Sequence, residues 1–187
     1  KFSVSIVGGD LSKGKIFSST IAIVGEADPK FTIYRSRAKV GDFVCVTGRL
    51  GGSILGKHLN FTPRIKEGQF LAKQGVSAMI DISDGLQQDL KHIANESKVG
   101  GMLDERKIPV SKDALKLAKG NRKKALEHAF CDGEDFELLF TISENRLYPL
   151  EKEWRKHFKT ELTQIGKIVA RDNTTLAIRK RLGFQHF

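Results

Sequence analysis

Residues 78–97 constrain the fold of this chain more than any other stretch, because they combine three local patterns in a fixed order. An apolar run ends at Asp81. Leu86, Leu90 and Ile93 then recur at spacings of three and four residues, which corresponds to one face of a helix. The stretch therefore predicts a strand, an acidic turn and a helix in direct succession.

The acidic turn has two interpretations that the local sequence leaves open. Asp81 and Asp84 flank Ser83, and two carboxylates this close repel each other unless a positive charge lies between them. A Mg²⁺ ion, which takes oxygen ligands, would supply that charge. Alternatively, Asp84 or Ser83 is only a helix N-cap and Asp81 a solvated turn residue, since Gln87 stands three residues after Asp84 as in a capping box.

Composition and charge narrow the class of protein. Hydrophobic residues make up 40% and charged residues 29% of the 187, which is an ordinary globular composition. The net charge of +10 fits nucleic acid, an anionic membrane or phosphorylated small molecules as partners. The densest basic group, residues 106–124, lies in a polar stretch with few aromatics. We therefore expect a solvated basic face, with neither nucleic acid nor a membrane as partner.

The two cysteines and the first residues indicate the setting of the chain. Cys45 and Cys131 are too few for a disulfide framework and lack metal-ligand spacing, so a reducing, cytoplasmic location is expected. Lys1 leads directly into residues 2–7, which alternate like a strand. We therefore expect the chain to begin inside a domain.

A second acidic turn is predicted near the N-terminus. Residues 2–7 and 16–25 are strand-like, and Gly8-Gly9-Asp10 between them would form a hairpin that presents Asp10 at a strand end. Asp10 is then either a metal-binding carboxylate or part of an ordinary turn. Asp28-Pro29 interrupts the pattern and suggests a domain boundary nearby.

A basic loop and a third acidic turn complete the candidate features. Arg35, Arg37 and Lys39 would either hold phosphate oxygens or belong to a solvated loop before the strand 43–48. In residues 131–141, an acidic pair precedes a strand. We expect Glu134 and Asp135 to face a ligand, or merely solvent, while the side chains after them enter the core; these are Phe136, Leu138 and Phe140.

Most of the remaining chain alternates between helix and strand patterns. The residues at 48–52 do not match a Walker-type phosphate loop. Trp154 falls on the apolar face of its helix and is expected in the core. The predicted helices span 65–73, 112–119, 121–130 and 143–159. Residues 99–110 are predicted to form a strand and a turn, and further strands are predicted at 162–170 and 174–179.

The ordered set of these motifs resembles the thiamine-monophosphate kinase family of the aminoimidazole-ribonucleotide-synthetase-like superfamily. The resemblance covers essentially the whole chain, although Leu11 and Ser12 replace two usual threonines after Asp10. The motifs are Val7-Gly8-Gly9-Asp10, Arg35-Ser36, Gly41-Asp42, Val46-Thr47-Gly48, Thr62-Pro63-Arg64, Ile80-Asp81-Ile82-Ser83-Asp84-Gly85-Leu86, Gly133-Glu134-Asp135-Phe136-Glu137-Leu138 and Gly183-Phe184.

The resemblance implies an α+β fold: a C-terminal α/β sandwich preceded by the last strands of an N-terminal sheet domain. Residues 1–26 would end an N-terminal ATP- and Mg²⁺-binding domain, and residues 27–187 would form the C-terminal domain. Family members carry a longer upstream part with further metal-binding aspartates, so we expect the metal site of this chain to be incomplete. A homodimer is also implied.

The implied activity is ATP-dependent phosphorylation of thiamine monophosphate to thiamine diphosphate by Mg²⁺-assisted direct phosphoryl transfer. Two alternatives stay open: a non-catalytic nucleotide- or phosphate-binding fragment, and a relative such as an aminoimidazole ribonucleotide synthetase. No side chain is implied as a general base. Carried over by motif, the metal ligands are Asp10, Asp81 and Asp84, the nucleotide contacts are Gly9, Asp10, Arg35 and Ser83, and the substrate contacts are Glu134 and Phe184.

Overall fold

The computed structural model describes residues 4–171, and its centre is a five-stranded sheet. The strand order is β2-β4-β1-β5-β3, and every neighbouring pair is antiparallel. At one edge, Asp81 at the end of β2 pairs with Leu138 at the start of β4. The strands are β1 Phe43–Thr47, β2 Ala78–Asp81, β3 Gly100–Leu103, β4 Leu138–Ile142 and β5 Leu162–Val169.

Helices connect the strands. Most of the predicted helices and strands are confirmed, with observed ends within two residues of the predicted ones. The strand and turn predicted at 99–110 are confirmed, because β3 ends at Leu103 and the chain then turns into a short 3₁₀ helix, Glu105–Lys107. The predicted strand 174–179 lies outside the described residues. The helices are α1 Lys57–Asn60, α2 Ile65–Lys73, α3 Leu86–Ser97, α4 Lys112–Leu117, α5 Arg122–Cys131 and α6 Glu144–His157, with a second 3₁₀ turn at Ser53–Leu55.

Alternation along the strands divides the core into two layers. Val44 and Val46 of β1 point to the face covered by α3, α4 and α5, whereas Cys45 points to the face covered by α2 and α6. On the second face, Trp154 is 2% exposed and packs edge-on against Phe70, which confirms its predicted place in the core. Helices on both faces of an antiparallel sheet give an α+β fold, as predicted.

The N-terminal part differs from its prediction. Residues 4–28 contain neither helix nor strand, and their large apolar side chains are exposed, with Ile6 at 96% and Phe17 at 94%. The predicted hairpin is therefore wrong for the described chain. A two-stranded hairpin buries too little surface to be stable without a further sheet or helix to pack against. The division into domains at residue 26 stays a prediction.

None of the helices within residues 4–171 is both long enough and apolar enough to cross a membrane.

Candidate functional site

The acidic turn lies where β2 ends and α3 begins. β2 ends at Asp81, which is exposed, and α3 starts at Leu86. The N-cap position is Gly85, with φ 102°, and not Asp84 or Ser83 as the alternative interpretation predicted. A Cβ atom at Gly85 would lie 3.0 Å from the carbonyl oxygen of Phe130, so α5 approaches too closely for a larger residue.

A third carboxylate joins this turn, one that the sequence motifs did not single out as a ligand. Asp89, on the first turn of α3, is 1% exposed, and its Oδ2 accepts a hydrogen bond from the Asp84 backbone N–H at 3.1 Å. His92 Nε2 lies 3.6 Å from Asp84 Oδ2. One donor atom from each of Asp84, Asp89 and His92 falls within 4.8 Å of the others. The signal in the sequence that could have identified Asp89 is its position, as a carboxylate, on the buried side of α3.

The electrostatics of this turn suit a divalent cation. Burial, together with the negative charges of Asp84 and Asp81, raises the pKa of Asp89 to about 7. Negative charge therefore accumulates at the turn. Mg²⁺ prefers carboxylate oxygens over imidazole nitrogen, so Asp84 and Asp89 fit this ion and His92 does not. Asp81 is not in this group, and its role as a metal ligand stays a prediction.

The loop before β4 is joined to the acidic turn by backbone hydrogen bonds. The Glu134 N–H donates to the Ser83 carbonyl at 2.8 Å, and the Phe136 N–H donates to the Ile82 carbonyl at 2.9 Å. The Ile82 N–H donates in turn to the Glu137 carbonyl at 2.8 Å. The structure thus brings the predicted residues Ser83 and Glu134 together. We call this set of three bonds the turn–loop junction.

Backbone conformation in the loop is unusual. Glu134 and Phe136 have φ values of 52° and 49°, in the left-handed region that non-glycine residues seldom adopt. The Phe136 ring stacks on Phe61 with centroids 4.1 Å apart. Such conformations persist where the surroundings enforce them, as is common at ligand-binding loops.

The side-chain pattern predicted for this loop is wrong at two positions. Asp135 was expected to face a ligand and Phe136 to enter the core. In the structure Asp135 and Glu137 are each 1% exposed, whereas Phe136 is only half-buried. Burial still alternates along the loop, but in the opposite phase to the prediction, so Asp135 and Glu137 face inward.

The buried carboxylates bind the glycine-rich turn after β1. Asp135 Oδ2 accepts a hydrogen bond from the Gly51 N–H at 2.7 Å, and Asp132 Oδ2 accepts one from the Gly52 N–H at 3.1 Å. The Ser53 hydroxyl donates to the Gly133 carbonyl at 2.8 Å. The turn at 48–52 therefore supports the loop that carries Glu134.

The residues of the predicted basic loop lie in two different parts of the structure. Arg35 forms an ion pair with Glu96 at 3.1 Å, beside the C-terminal end of α3. Because Glu96 is ten residues beyond Leu86, the ion pair lies about 15 Å along the helix from the acidic turn. Arg37 and Lys39 instead line a cleft of about 340 Å³ with Arg146. The nucleotide contact of Arg35 stays a prediction.

The predicted site residues Gly9 and Asp10 are not brought to the turn. Gly9 and Asp10 lie in the exposed segment 4–28, where Asp10 Oδ2 accepts a hydrogen bond from the Ser12 hydroxyl at 2.9 Å. Asp10 is not part of the cluster of Asp84, Asp89 and His92. Phe184 lies outside the described residues. The roles of Gly9, Asp10 and Phe184 stay predictions.

Comparison with known proteins identifies the family of this chain. The family model of AIR synthase related protein, C-terminal domain, matches residues 37–179. The chain is 36% identical over 215 residues to a thiamine-monophosphate kinase of Buchnera aphidicola subsp. Acyrthosiphon pisum. This alignment covers 100% of this chain and 65% of that protein.

Two solved structures have a similar fold. The thiamine-monophosphate kinase from Stenotrophomonas maltophilia K279a has a TM-score of 0.67 and 29% identity, covering 75% of this chain and 51% of the other. AaThiL complexed with AMPPCP and TMP has a TM-score of 0.63 and 29% identity, covering 75% of this chain and 48% of the other. The chain thus spans about two thirds of the curated relative and half of each structure. Since the family model matches most of its residues, the chain belongs to the AIR synthase related family through its C-terminal domain.

Proposed function

We propose that this chain acts in the ATP-dependent phosphorylation of thiamine monophosphate to thiamine diphosphate. The turn–loop junction is the observation that carries the proposal, because it places the acidic turn at 81–84 directly beside Glu134. A kinase for a cationic, phosphorylated substrate has two requirements. It needs carboxylates that hold the metal ion bound to the polyphosphate, and it needs a further anionic group that binds the cationic part of the substrate. The kinase names of the relatives support the same substrate pair.

Phosphoryl transfer requires positioning and charge neutralisation more than covalent help from the protein. An oxygen of the thiamine monophosphate phosphate forms a bond to the γ-phosphorus of ATP, and the bond from that phosphorus to the β-phosphate oxygen breaks, releasing ADP. The attacking phosphate oxygen is already ionised, so no general base is needed. Bound Mg²⁺ would neutralise the charge of the polyphosphates.

The residues of this chain would divide the work. Asp81, Asp84 and Asp89 would hold Mg²⁺, and Ser83 between them would contact the nucleotide. Glu134 would bind the cationic ring of the substrate through its carboxylate. We infer that Asp10 completes the metal site only when the segment 4–28 packs differently from the described arrangement.

The test is ADP release from ATP and Mg²⁺ with and without thiamine monophosphate. We expect release to depend on thiamine monophosphate. Release that is independent of it would contradict the substrate and favour a relative such as an aminoimidazole ribonucleotide synthetase. A second candidate function is a fragment that only binds nucleotide or phosphate, and the absence of Asp10 from the cluster of Asp84, Asp89 and His92 favours it. Running the assay beside a calorimetric titration with each ligand separates such a fragment from a catalyst.

We also propose that the protein forms a homodimer, located in the cytoplasm. The exposed apolar side chains of residues 4–24 support the dimer, because contiguous apolar surface of this kind is typical of interfaces. Light scattering coupled to size-exclusion chromatography measures the assembly, and a monomeric mass at micromolar concentration would contradict it.

A further inference from the structure

Arg64 and Glu137 belong to two of the family-like motifs, yet the proposed function gives neither of them a role. The structure joins them in one ion pair, in which the Glu137 carboxylate is buried and the Arg64 side chain is partly exposed. Arg64 donates from Nε to Glu137 Oε2 and from Nη2 to Oε1, both at 2.8 Å. This two-point geometry fixes the orientation of the carboxylate as well as its position.

Two more elements hold the same carboxylate. The Thr47 hydroxyl at the end of β1 donates to Oε2 at 2.8 Å, and Lys57 Nζ on α1 donates to Oε1 at 2.9 Å. Gly48 makes the approach possible, since a Cβ atom there would lie 2.3 Å from Glu137 Oε1. Burial raises the pKa of Glu137, but Arg64 and Lys57 outweigh it and hold the pKa below its usual value, so the carboxylate stays charged.

The backbone of Glu137 is part of the turn–loop junction. The Glu137 carbonyl accepts a hydrogen bond from the N–H of Ile82, which follows Asp81 of the acidic turn. The N–H of Glu134, three residues before Glu137, donates to the Ser83 carbonyl. A carboxylate bound from three elements therefore immobilises the backbone that sets the spacing between the acidic turn and Glu134.

We propose that Arg64 and Glu137 are positioning residues, which hold the acidic turn and the Glu134 loop at the separation that phosphoryl transfer requires. The role in phosphoryl transfer rests on the proposed function, whereas the contacts of Arg64 and Glu137 are independent of it. Neither residue needs to touch substrate. Their effect passes through the hydrogen bonds of Ile82 and Glu134.

The test is amide hydrogen exchange on the full 187-residue chain, comparing Arg64→Lys with wild type. Lysine keeps the charge but loses the two-point geometry, so we expect the Ile82 and Glu134 amides to exchange at least about tenfold faster, as loss of a charge-assisted hydrogen bond predicts. The amides of α6 should keep their wild-type rates. Arg49→Lys is the matched control, because Arg49 also donates twice to one glutamate, Glu161, at the surface.

Three results would overturn the proposal. The first is unchanged exchange at Ile82 and Glu134. The second is equal acceleration throughout α6, which would show only global destabilisation. The third is a variant whose junction opens while thiamine monophosphate-dependent ADP release keeps its wild-type kcat. If wild type itself releases no ADP in response to thiamine monophosphate, the proposed function fails, whereas the exchange rates still show whether Arg64 fixes the junction.

Discussion

Replacing Asp135 with asparagine should flatten the pH dependence of the protein's stability. The Asp135 carboxylate is buried, with Oδ2 bonded to the Gly51 N–H, while Oδ1 has no hydrogen-bond partner among the described residues and lies 4.0 Å from Lys57 Nζ. Burial is the largest effect on its pKa, and the net result is a rise from 3.8 to about 7. Asp132 and Glu137 contribute to the rise, whereas Lys57 opposes it.

The sign and size of the effect follow from proton linkage. Because the folded state holds the Asp135 proton more tightly than the unfolded state, wild type loses stability as pH rises from about 4 through about 7. A shift of roughly three pKa units, at about 1.4 kcal/mol each, sets an upper limit of about 4 kcal/mol. Asparagine stays neutral over this range, and its oxygen can still accept the Gly51 N–H.

Urea unfolding at a series of pH values between about 4 and 7 measures this difference. We expect the free energy of unfolding of Asp135→Asn to fall less with pH than that of wild type. Asp113→Asn removes an exposed carboxylate and serves as the control, which should follow wild type. Parallel curves for wild type and Asp135→Asn would refute the argument that the buried carboxyl carries a raised pKa.

Three further predictions concern the metal turn, a glycine and the core. Asp84→Asn should weaken Mg²⁺ binding by at least about tenfold in calorimetry with little change in thermal midpoint, because Asp84 is only partly buried and the N-cap of α3 is Gly85; unfolding instead would make the residue structural. Gly51→Ala should destabilise by about 2 kcal/mol or more in urea, because its Cβ would lie 2.6 Å from the Ala129 nitrogen at φ 85°. Gly120→Ala, at φ 80° in open space, should cost less, and equal costs would argue against the clash. Leu150→Ala should lower the free energy of unfolding by about 2–5 kcal/mol, since Leu150 is 1% exposed, and a loss below about 1 kcal/mol would mean that this face of the sheet is loosely packed.

Local patterns in the sequence determined where most elements form. The apolar periodicity of α6 and the β-branched run of β1 each follow from neighbouring residues, and the structure places both as predicted. The strand, acidic turn and helix at 78–97 also follow from short-range spacing. The hairpin predicted at 2–25 is not formed because alternation identifies strands but does not supply the further sheet or helix against which an isolated hairpin must pack.

Only the tertiary structure decided how the candidate site is assembled. Arg64 and Glu137 are 73 residues apart in the chain, and Gly51 and Asp135 are 84 apart. Nothing in either local sequence shows that these groups meet, because their pairing depends on the order of strands in the sheet. The burial of Asp89 beside Asp84 likewise depends on how α3 packs against the sheet. The sequence determined which residues carry charge, and the fold determined which of those charges are buried and paired.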